Sequence, residues 1–207
     1  MHVRLNTIFG EPDQAAAVVD YLEVLDRPAV EAAVGNGGLM TFMDQGGGVI
    51  VAASYWDQEA RSCAAALTGV RHGAEVVARG MVVADSYEVR ALVRLSAPRR
   101  GATVRLDRLQ FESARIDEAA AFLGTVLIPE LTCLAGLCSV EILVDADSST
   151  GAALTVWDSE QAAGTGCTVL ESLRDRVVDH GAKVVAVEDY TLISASPQPA
   201  QPRPCDS

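Results

Sequence analysis

The stretch Ser54-Tyr55-Trp56-Asp57-Gln58-Glu59-Ala60 has a counterpart in the second half of the chain, Thr155-Val156-Trp157-Asp158-Ser159-Glu160-Gln161. The two tryptophans, the aspartates that follow them and two glutamates match at a constant offset of 101 residues. The same offset extends outward to further matched pairs: Val3-Arg4-Leu5 with Val104-Arg105-Leu106, Pro28 with Pro129, Gly35 with Gly136, and Gly80 with Gly181. Internal self-similarity of this kind indicates a duplicated structural unit. The chain is therefore interpreted as a tandem repeat without a gap.

Each half predicts the same order of elements. In the first half we expect strands over 2–9, 39–43, 50–56 and 81–95, with helices over about 12–34 and 57–79. In the second half the strands are expected over 103–111, 140–144, 152–157 and 182–194, with the last helix over about 158–180. The order β-α-β-β-α-β is typical of the ferredoxin-like module, a four-stranded antiparallel sheet with both helices on one face.

The first helix of each half contains a proline. Its apolar residues recur at three-to-four spacing, which predicts a buried stripe of Val18, Leu22, Leu25, Ala29 and Ala33. Pro28 and Pro129 fall inside this pattern, and proline removes a helix hydrogen bond. We therefore expect each of these helices to be kinked or split at its proline.

A sheet with helices on one face leaves its other face in need of cover. We predict an α+β fold in which two tandem ferredoxin-like modules pack sheet to sheet as an intramolecular dimeric α/β barrel. The predicted boundaries are 1–96 for the first module, 97–102 for a linker and 103–195 for the second module. The proline-rich segment 196–207 is expected to be a disordered tail.

Composition excludes several classes of function. The net charge of −12 over 207 residues argues against nucleic acid, which requires concentrated Lys and Arg. No run approaches the roughly 18–20 apolar residues of a membrane span, and the N-terminus lacks the pattern of a secretory signal. We expect a cytoplasmic protein. The five cysteines form no Cys-x-x-Cys pair, so no metal site is expected.

The segments Ser54–Ala60 and Val156–Glu160 resemble the strand-to-helix signature of the antibiotic biosynthesis monooxygenase family, which belongs to the dimeric α/β barrel superfamily. The resemblance covers both halves of the chain apart from the tail. It implies a ligand cavity between the sheet and the helices of each module. It also implies cofactor-independent oxidation of polyketide-like phenols, because enzymes of this family perform that reaction, and related enzymes degrade haem.

The resemblance also implies site residues. Asn6 matches a recurrent pocket asparagine of the first strand, and Trp56 matches the signature tryptophan. These two are predicted as catalytic residues, Asn6 orienting the substrate and Trp56 stacking on it, with no cofactor. Five further residues are predicted to bind substrate: Tyr55, His72, Tyr87, Asp107 and Trp157.

Structural interpretations of the same residues stay open. Each tryptophan is equally suited to closing the end of a strand against its helix. Asn6 is also compatible with a solvent-facing position, and His72 with a helix C-terminus, where a cationic side chain complements the helix dipole. The chain departs from the family at the helix histidine found about nine residues after the tryptophan, where it has Ala65 and Gly166. No histidine matches the iron ligand of the haem-degrading branch, which argues against haem degradation.

The leading hypothesis is a cofactor-independent monooxygenase-like protein acting on a small aromatic or polyketide-like compound. One alternative is a non-catalytic ligand-binding or assembly protein of the same fold, and a second is an isomerase or cyclase. The expected partner is a small apolar or aromatic ligand, with further homodimerisation possible. If only one module is catalytic, the two cavities should differ in size, whereas matching small interiors favour the non-catalytic alternative.

Overall fold

The computed structural model describes residues 1–57 and 64–196, with side chains described outside 64–70. Its strands in the first half are β1 (His2–Phe9), β2 (Asn36–Met43), β3 (Val49–Trp56) and β4 (Met81–Arg94). Those of the second half are β5 (Thr103–Phe111), β6 (Leu137–Asp145), β7 (Thr150–Trp157) and β8 (Ala182–Ala195). Most of the expected tail, 197–207, and residues 58–63 of the expected second helix lie outside the described residues.

The first helix of each half changes its winding along its length. Helix α1 consists of a 3₁₀ turn Pro12–Gln14, α-helical Ala15–Tyr21, π-helical Leu22–Asp26 and α-helical Arg27–Glu31. Helix α2 is Ala64–Ala78. Helix α3 repeats the pattern of α1 with Ser113–Arg115, Ile116–Phe122, π-helical Leu123–Leu127 and Ile128–Thr132. Helix α4 is Glu160–Asp179, and no helix of the described residues is long and apolar enough to cross a bilayer.

The strands of the described residues form a closed barrel in the hydrogen-bonded order β1-β3-β2-β8-β5-β7-β6-β4. The predicted fold class, an α+β barrel of two ferredoxin-like modules, is confirmed. By contact the chain divides into two compact units. Unit 1 is residues 1–88 with the end of β8 from Tyr190 onward, and unit 2 is residues 89–189. Strands β4 and β8 thus each contribute to both units.

The sheet of unit 1 runs β4-β1-β3-β2, the ferredoxin-like order, and the end of β8 extends it beyond β2. Both faces of this sheet are buried. Ile8, Ile50 and Val82 pack against α1 and α2 on one face, while Leu5 and Tyr55 on the opposite face are almost fully buried. Ser196, just after β8, is anchored by hydrogen bonds with the backbone of Leu39.

The repeat is maintained at the level of single hydrogen-bonded pairs. Asn6 lies opposite Ala52 in the β1–β3 pairing, and Asp107 lies opposite Ala153 in the β5–β7 pairing. The bulge between Asn36 and Gly38 has its counterpart between Leu137 and Ser139. Each of these positions differs from its counterpart by 101 residues, so sequence offset and structural equivalence coincide.

The prolines explain the π turns. Proline lacks an N–H group, and its ring clashes with the carbonyl four residues back, so an ordinary α-helix does not continue through it. Ahead of Pro28 the helix widens, and the backbone N–H of Arg27 donates to the carbonyl of Leu22, five residues back. The N–H of Ile128 donates to Leu123 in the same way ahead of Pro129. The predicted interruption at the prolines is confirmed, and it takes the form of a π turn.

The π turn changes which residues face the core, so part of the predicted stripe is wrong. Leu25 is 60% exposed and Ala29 is also exposed. The buried positions follow a four-residue spacing instead: Val18, Leu22, Asp26 and Val30 in α1, and Ala119, Leu123, Leu127 and Leu131 in α3. The extra residue in the π turn rotates the following turn, which buries a carboxylate in the first copy and a leucine in the second.

Trp157 closes the end of β7 against α4. Its ring is buried in the unit 2 core, and its Nε1 donates to Thr155 Oγ1 at 2.9 Å. A Cβ atom built on Gly166 would overlap ring carbons of Trp157, whereas one built on Gly164 would meet nothing. Only glycine at 166 allows α4 to approach the indole this closely.

Gly166→Ala is therefore expected to lower the free energy of unfolding by about 2 kcal/mol, because the added methyl overpacks the contact with Trp157. Gly164→Ala, two residues away on the same helix, is the matched control. It should raise stability by about 0.5–1 kcal/mol through helix propensity alone. Urea denaturation of the intact chain measures both, and a Gly166→Ala protein as stable as the wild type would contradict the packing described here.

Candidate functional site

Unit 1 has a cavity between its helices and the helix-facing side of its sheet. Its walls combine apolar residues with a small set of polar ones: Asn6, Ile8, Leu22, Asp26, Val30, Leu39, Thr41, Ala52, Ser54, Arg71, Ala74 and Val82. Counted out to its mouth, the cavity has a volume of about 530 Å³. A mostly apolar pocket with a few convergent polar groups is the usual form of a small-molecule site.

Asp26 is the most unusual polar group of this cavity. The π turn of α1 carries it into the core, where it is 4% exposed, and its Oδ2 atom has no hydrogen-bond partner. Burial raises the pKa of this carboxyl to about 7, and a hydrogen bond from the hydroxyl of Tyr21 offsets part of the rise. The Tyr21 hydroxyl lies where a Cβ atom at position 73 would be, so the glycine at this position of α2 is what makes space for it. Asp26 is therefore poised to change its protonation state near neutral pH.

Thr41 of β2 contributes a second buried polar group to the same cavity. It is fully buried, and its Oγ1 lacks a hydrogen bond of normal geometry. Its proximity to Glu23 nevertheless helps to lower the pKa of that carboxyl. Burial is the largest effect and raises the pKa of Glu23, but the hydrogen bonds from Arg27 and Ser194 together lower it by more. Buried polar atoms without hydrogen-bond partners are rare in folded proteins, which makes Thr41 a candidate site residue.

Asn6 projects from β1 toward the helices, as its place in the cavity lining requires. Its Oδ1 accepts a hydrogen bond from Arg4 Nε at 3.2 Å, which leaves the amide NH₂ group for a bound molecule. Arg71 of α2 lines the same cavity, and its guanidinium donates to the carbonyl of Val82 at 2.6 Å. Burial and the neighbouring Arg71 lower the pKa of Arg4. This side of the cavity is therefore rich in hydrogen-bond donors.

Trp56 is placed next to the cavity and belongs to its supporting wall. It is buried in a cluster with Val30, Leu39 and Ala52, all three of which line the cavity. Its indole Nε1 donates to Ser54 Oγ at 3.0 Å, as Trp157 does to Thr155. Because the same contact occurs in both units, the tryptophans have a shared structural role. The stacking role predicted for Trp56 remains a prediction.

The structure does not bring the remaining predicted residues of unit 1 into this cavity. Tyr55 and Tyr87 lie opposite Val3 in the pairings of β3 and β4 with β1. Because side chains alternate along a strand, they are on the face opposite to Asn6. His72 is on the surface of α2, 79% exposed and 3.9 Å from a carboxylate oxygen of Glu75.

Unit 2 has an equivalent cavity with a different chemistry. Asp107 lines it at the position of Asn6, and Arg105 Nε lies 3.1 Å from Asp107 Oδ1 in a buried ion pair. Burial raises the pKa of Asp107, and Arg105 opposes the rise. A hydrogen bond of 2.6 Å also joins Arg105 Nη1 to Cys167 Sγ. Asp107 is therefore already engaged by a neighbour from its own strand.

The two cavities are alike in size and differ in lining. The unit 2 cavity has a volume of about 450 Å³ counted out to its mouth. At the positions of Asp26 and Thr41, however, unit 2 carries the buried aliphatic residues Leu127 and Ile142. The partnerless polar atoms of the unit 1 cavity thus have no counterpart at these two positions.

Haem does not fit the described residues of either cavity. None of the described residues lining the cavities is a histidine. His180 caps α4 and stacks on Phe122 with ring centroids 3.9 Å apart.

Asp26 and Thr41 were missed by the sequence analysis. Asp26 was missed because the apolar stripe was continued past Pro28 at α-helical spacing, although an interruption of the helix was expected there. The signal that would have found both residues is the repeat itself. The offset of 101 pairs Asp26 with Leu127 and Thr41 with Ile142, which marks a polar residue opposite an aliphatic one in otherwise similar surroundings.

Two proteins of Mycobacterium tuberculosis are similar in sequence to most of the chain. No family model matches the chain. The uncharacterized protein Rv2558 of Mycobacterium tuberculosis (strain H37Rv) is 25% identical over 199 residues, covering 94% of this chain and 84% of its own. The uncharacterized protein Rv2557 of the same organism is 21% identical over 164 residues, covering 78% and 73%.

Several solved structures share the architecture. A candidate monooxygenase from Lactobacillus acidophilus NCFM superimposes with a TM-score of 0.71 at 11% identity, covering 97% of both chains. An anthrone oxidase-like protein gives 0.63 at 14% identity, covering 94% of this chain and 92% of its own. A ferredoxin-fold protein of Listeria monocytogenes, described as related to antibiotic biosynthesis monooxygenases, gives 0.53 at 11%, covering 92% and 94%. At 11–14% identity these likenesses show the fold alone, the ferredoxin-like α+β barrel.

The raised pKa of Asp26 makes stability depend on pH. The folded protein holds this proton more tightly than the unfolded chain, whose carboxyl has the ordinary pKa of 3.8. The stabilisation that comes from this tightly held proton is complete below pH 3.8. It is lost as the pH rises through about 7, the pKa in the folded protein. About three pKa units at about 1.4 kcal/mol each correspond to roughly 4 kcal/mol.

The variant Asp26→Asn keeps the shape of the side chain and removes the titration. Relative to this variant, the wild type should lose up to roughly 4 kcal/mol of unfolding free energy between pH 4 and pH 8. Denaturant titrations at several pH values measure the difference. Asp20→Asn, at an exposed position of the same helix, is the control and should track the wild type. Parallel curves for wild type and Asp26→Asn would show that Asp26 titrates normally.

Proposed function

We propose that unit 1 binds a small aromatic or polyketide-like compound in its cavity and oxidises it with molecular oxygen, without a cofactor. The observation that carries the proposal is the lining of this cavity. Asp26 and Thr41 present buried polar atoms without normal partners to an otherwise apolar space, and Asn6 and Arg71 add donors. The equivalent positions in unit 2 hold Leu127 and Ile142.

The polar groups are suited to an electron-rich oxygen on a planar apolar body. The amide of Asn6 and the guanidinium of Arg71 supply hydrogen bonds to a carbonyl or phenolate oxygen, and they stabilise negative charge that develops there. Leu22, Val30 and Ala52 supply the apolar contact surface. An anion held in this way is readily oxidised, because oxygen reacts with electron-rich carbanions and phenolates.

The overall reaction balances without an external reductant. A ring methylene flanked by aromatic rings is converted to a carbonyl by one O₂, with one oxygen atom in the product and the other in water. The substrate supplies all four electrons. One structural neighbour is named anthrone oxidase-like, and anthrone is a compound with such a methylene. At 14% identity that neighbour guides the choice of probe only.

Two alternatives are favoured by specific observations. The similar volumes of the two cavities, about 530 and about 450 Å³ counted out to their mouths, favour a non-catalytic ligand-binding or assembly protein. The buried carboxyl of Asp26, whose pKa is raised by burial to about 7, is compatible with proton transfer alone, as in an isomerase or cyclase. Oxygen consumption separates the leading proposal from both.

The purified chain should consume one O₂ for each anthrone converted to anthraquinone, measured with an oxygen electrode and by absorbance. Ala52→Val places a larger side chain in the unit 1 cavity and should lower kcat/KM by about tenfold or more, equivalent to about 1.4 kcal/mol. Asn6→Ala should lower it to a similar extent, because an oxyanion donor is lost.

Ala153→Val is the matched control, since Ala153 occupies the equivalent position in the unit 2 cavity. It should leave the rate of oxygen uptake within about twofold of the wild type, a free-energy change too small to indicate a role. Equal loss in both variants would remove the assignment to unit 1. A wild-type protein that binds anthrone without oxygen uptake would favour one of the alternatives.

A further inference from the structure

Asp26 is buried where a purely structural role would not place a carboxylate. It lies on the buried face of α1, in line with Leu22 and Val30, and one of its oxygens has no partner. Leaving a buried polar group unsatisfied costs about 1–3 kcal/mol, and more if the group is charged. The fold tolerates an aliphatic residue at this position, since Leu127 occupies it in unit 2 with the same π turn.

Asp26 lines the cavity, and one of its carboxyl oxygens has no hydrogen-bond partner. Tyr21 engages the carboxyl from the preceding turn of α1, while Oδ2 stays without a partner beside the cavity that Asp26 lines. Thr41 on β2 and Ser54 on β3 line the same cavity from the sheet. The described titratable groups around this space are Tyr21 and Glu23 of α1, Arg71 of α2 and Arg4 of β1.

We infer that Asp26 is the catalytic base of unit 1, accepting through Oδ2 the proton of a carbon or oxygen acid bound in the cavity. The inference rests on the proposed function and assigns its first step. The substrate X–H gives its proton to the carboxylate, the X–H electron pair stays on X, and Asp26 becomes a neutral carboxylic acid. The resulting anion faces the donors of Asn6 and Arg71.

The later steps return the protein to its starting state. The carbanion forms a C–O bond with O₂, and the resulting peroxide anion takes the proton from Asp26. Loss of the second hydrogen from the same carbon, with cleavage of the O–O bond, gives the carbonyl, and both methylene hydrogens end in the water that is released. Tyr21 has a positioning role, because its hydrogen bond holds the carboxyl of Asp26. This hydrogen bond lowers the pKa of Asp26, whereas burial raises it. A base with a pKa of about 7 is matched to proton transfer near neutral pH.

Proton abstraction can be measured separately from oxygenation. Under nitrogen in D₂O, the wild-type protein should accelerate exchange of the methylene hydrogens of anthrone for deuterium, followed by NMR. Asp26→Asn should slow this exchange by about 100-fold or more, the usual range for loss of a general base. Asp20→Asn, the exposed carboxylate of the same helix, should exchange at the wild-type rate.

The pH profile provides a second readout. In the wild type the exchange rate should rise with pH and level off above about 7, as the Asp26 carboxylate forms. Tyr21→Phe removes the hydrogen bond that favours the carboxylate. It should therefore move the midpoint to higher pH while the plateau persists. A merely structural role for Tyr21 would change the amount of folded protein and leave the midpoint in place.

The outcomes separate the inference from the proposed function. Exchange that depends on Asp26, without oxygen uptake, supports the base and overturns the oxygenase proposal in favour of an isomerase. Oxygen uptake and exchange that persist in folded Asp26→Asn overturn the base and leave the oxygenase proposal standing. A wild-type protein that accelerates neither process overturns both.

Discussion

The antiparallel pairing of β1 with β3, and of β3 with β2, fixes the side chains that the sheet contributes to the unit 1 site. Asn6 lies opposite Ala52, and Ala52 lies opposite Thr41. Because side chains alternate along a strand, this register puts all three on the helix-facing side. A slip of one residue would replace these three side chains with their neighbours from the other face, and the cavity would lose the polar groups of Asn6 and Thr41. Chemistry in this cavity therefore depends first on strand register.

The two units show how one scaffold supports different interiors. The pairings, the β-bulge, the π turn and the indole hydrogen bond recur at an offset of 101 residues. Within that frame unit 1 has Asp26 and Thr41, and unit 2 has Leu127 and Ile142. In unit 2 the carboxylate that lines the cavity, Asp107, is paired with Arg105. The contrast is that Asp26 Oδ2 and Thr41 Oγ1 lack a hydrogen-bond partner, whereas both oxygens of Asp107 accept from Arg105.

Much of the fold could be predicted from the sequence, because it depends on patterns that survive in both copies. The offset identified the duplication, alternation identified the strands, and Pro28 and Pro129 marked the interruption of the helices. The burial of Asp26 could not be read from α-helical periodicity. A π turn inserts a residue into that period, so Leu25 faces solvent where the pattern placed it in the core.

The site was predicted less completely for a related reason. Asn6 was found through the family resemblance and does line the cavity. Tyr55 and Tyr87 were also predicted to bind substrate. Their register, unknown without the pairing with β1, puts them on the opposite face of the sheet. Residue type alone does not report which face a strand residue occupies.

The fusion of both modules into one polypeptide has a consequence for stoichiometry. A barrel assembled from two identical chains necessarily carries two identical pockets, so any substitution appears twice. Here each copy has its own codons, and the buried acid of one is an alkyl group in the other. A ligand that requires the carboxyl of Asp26 consequently has one place per polypeptide.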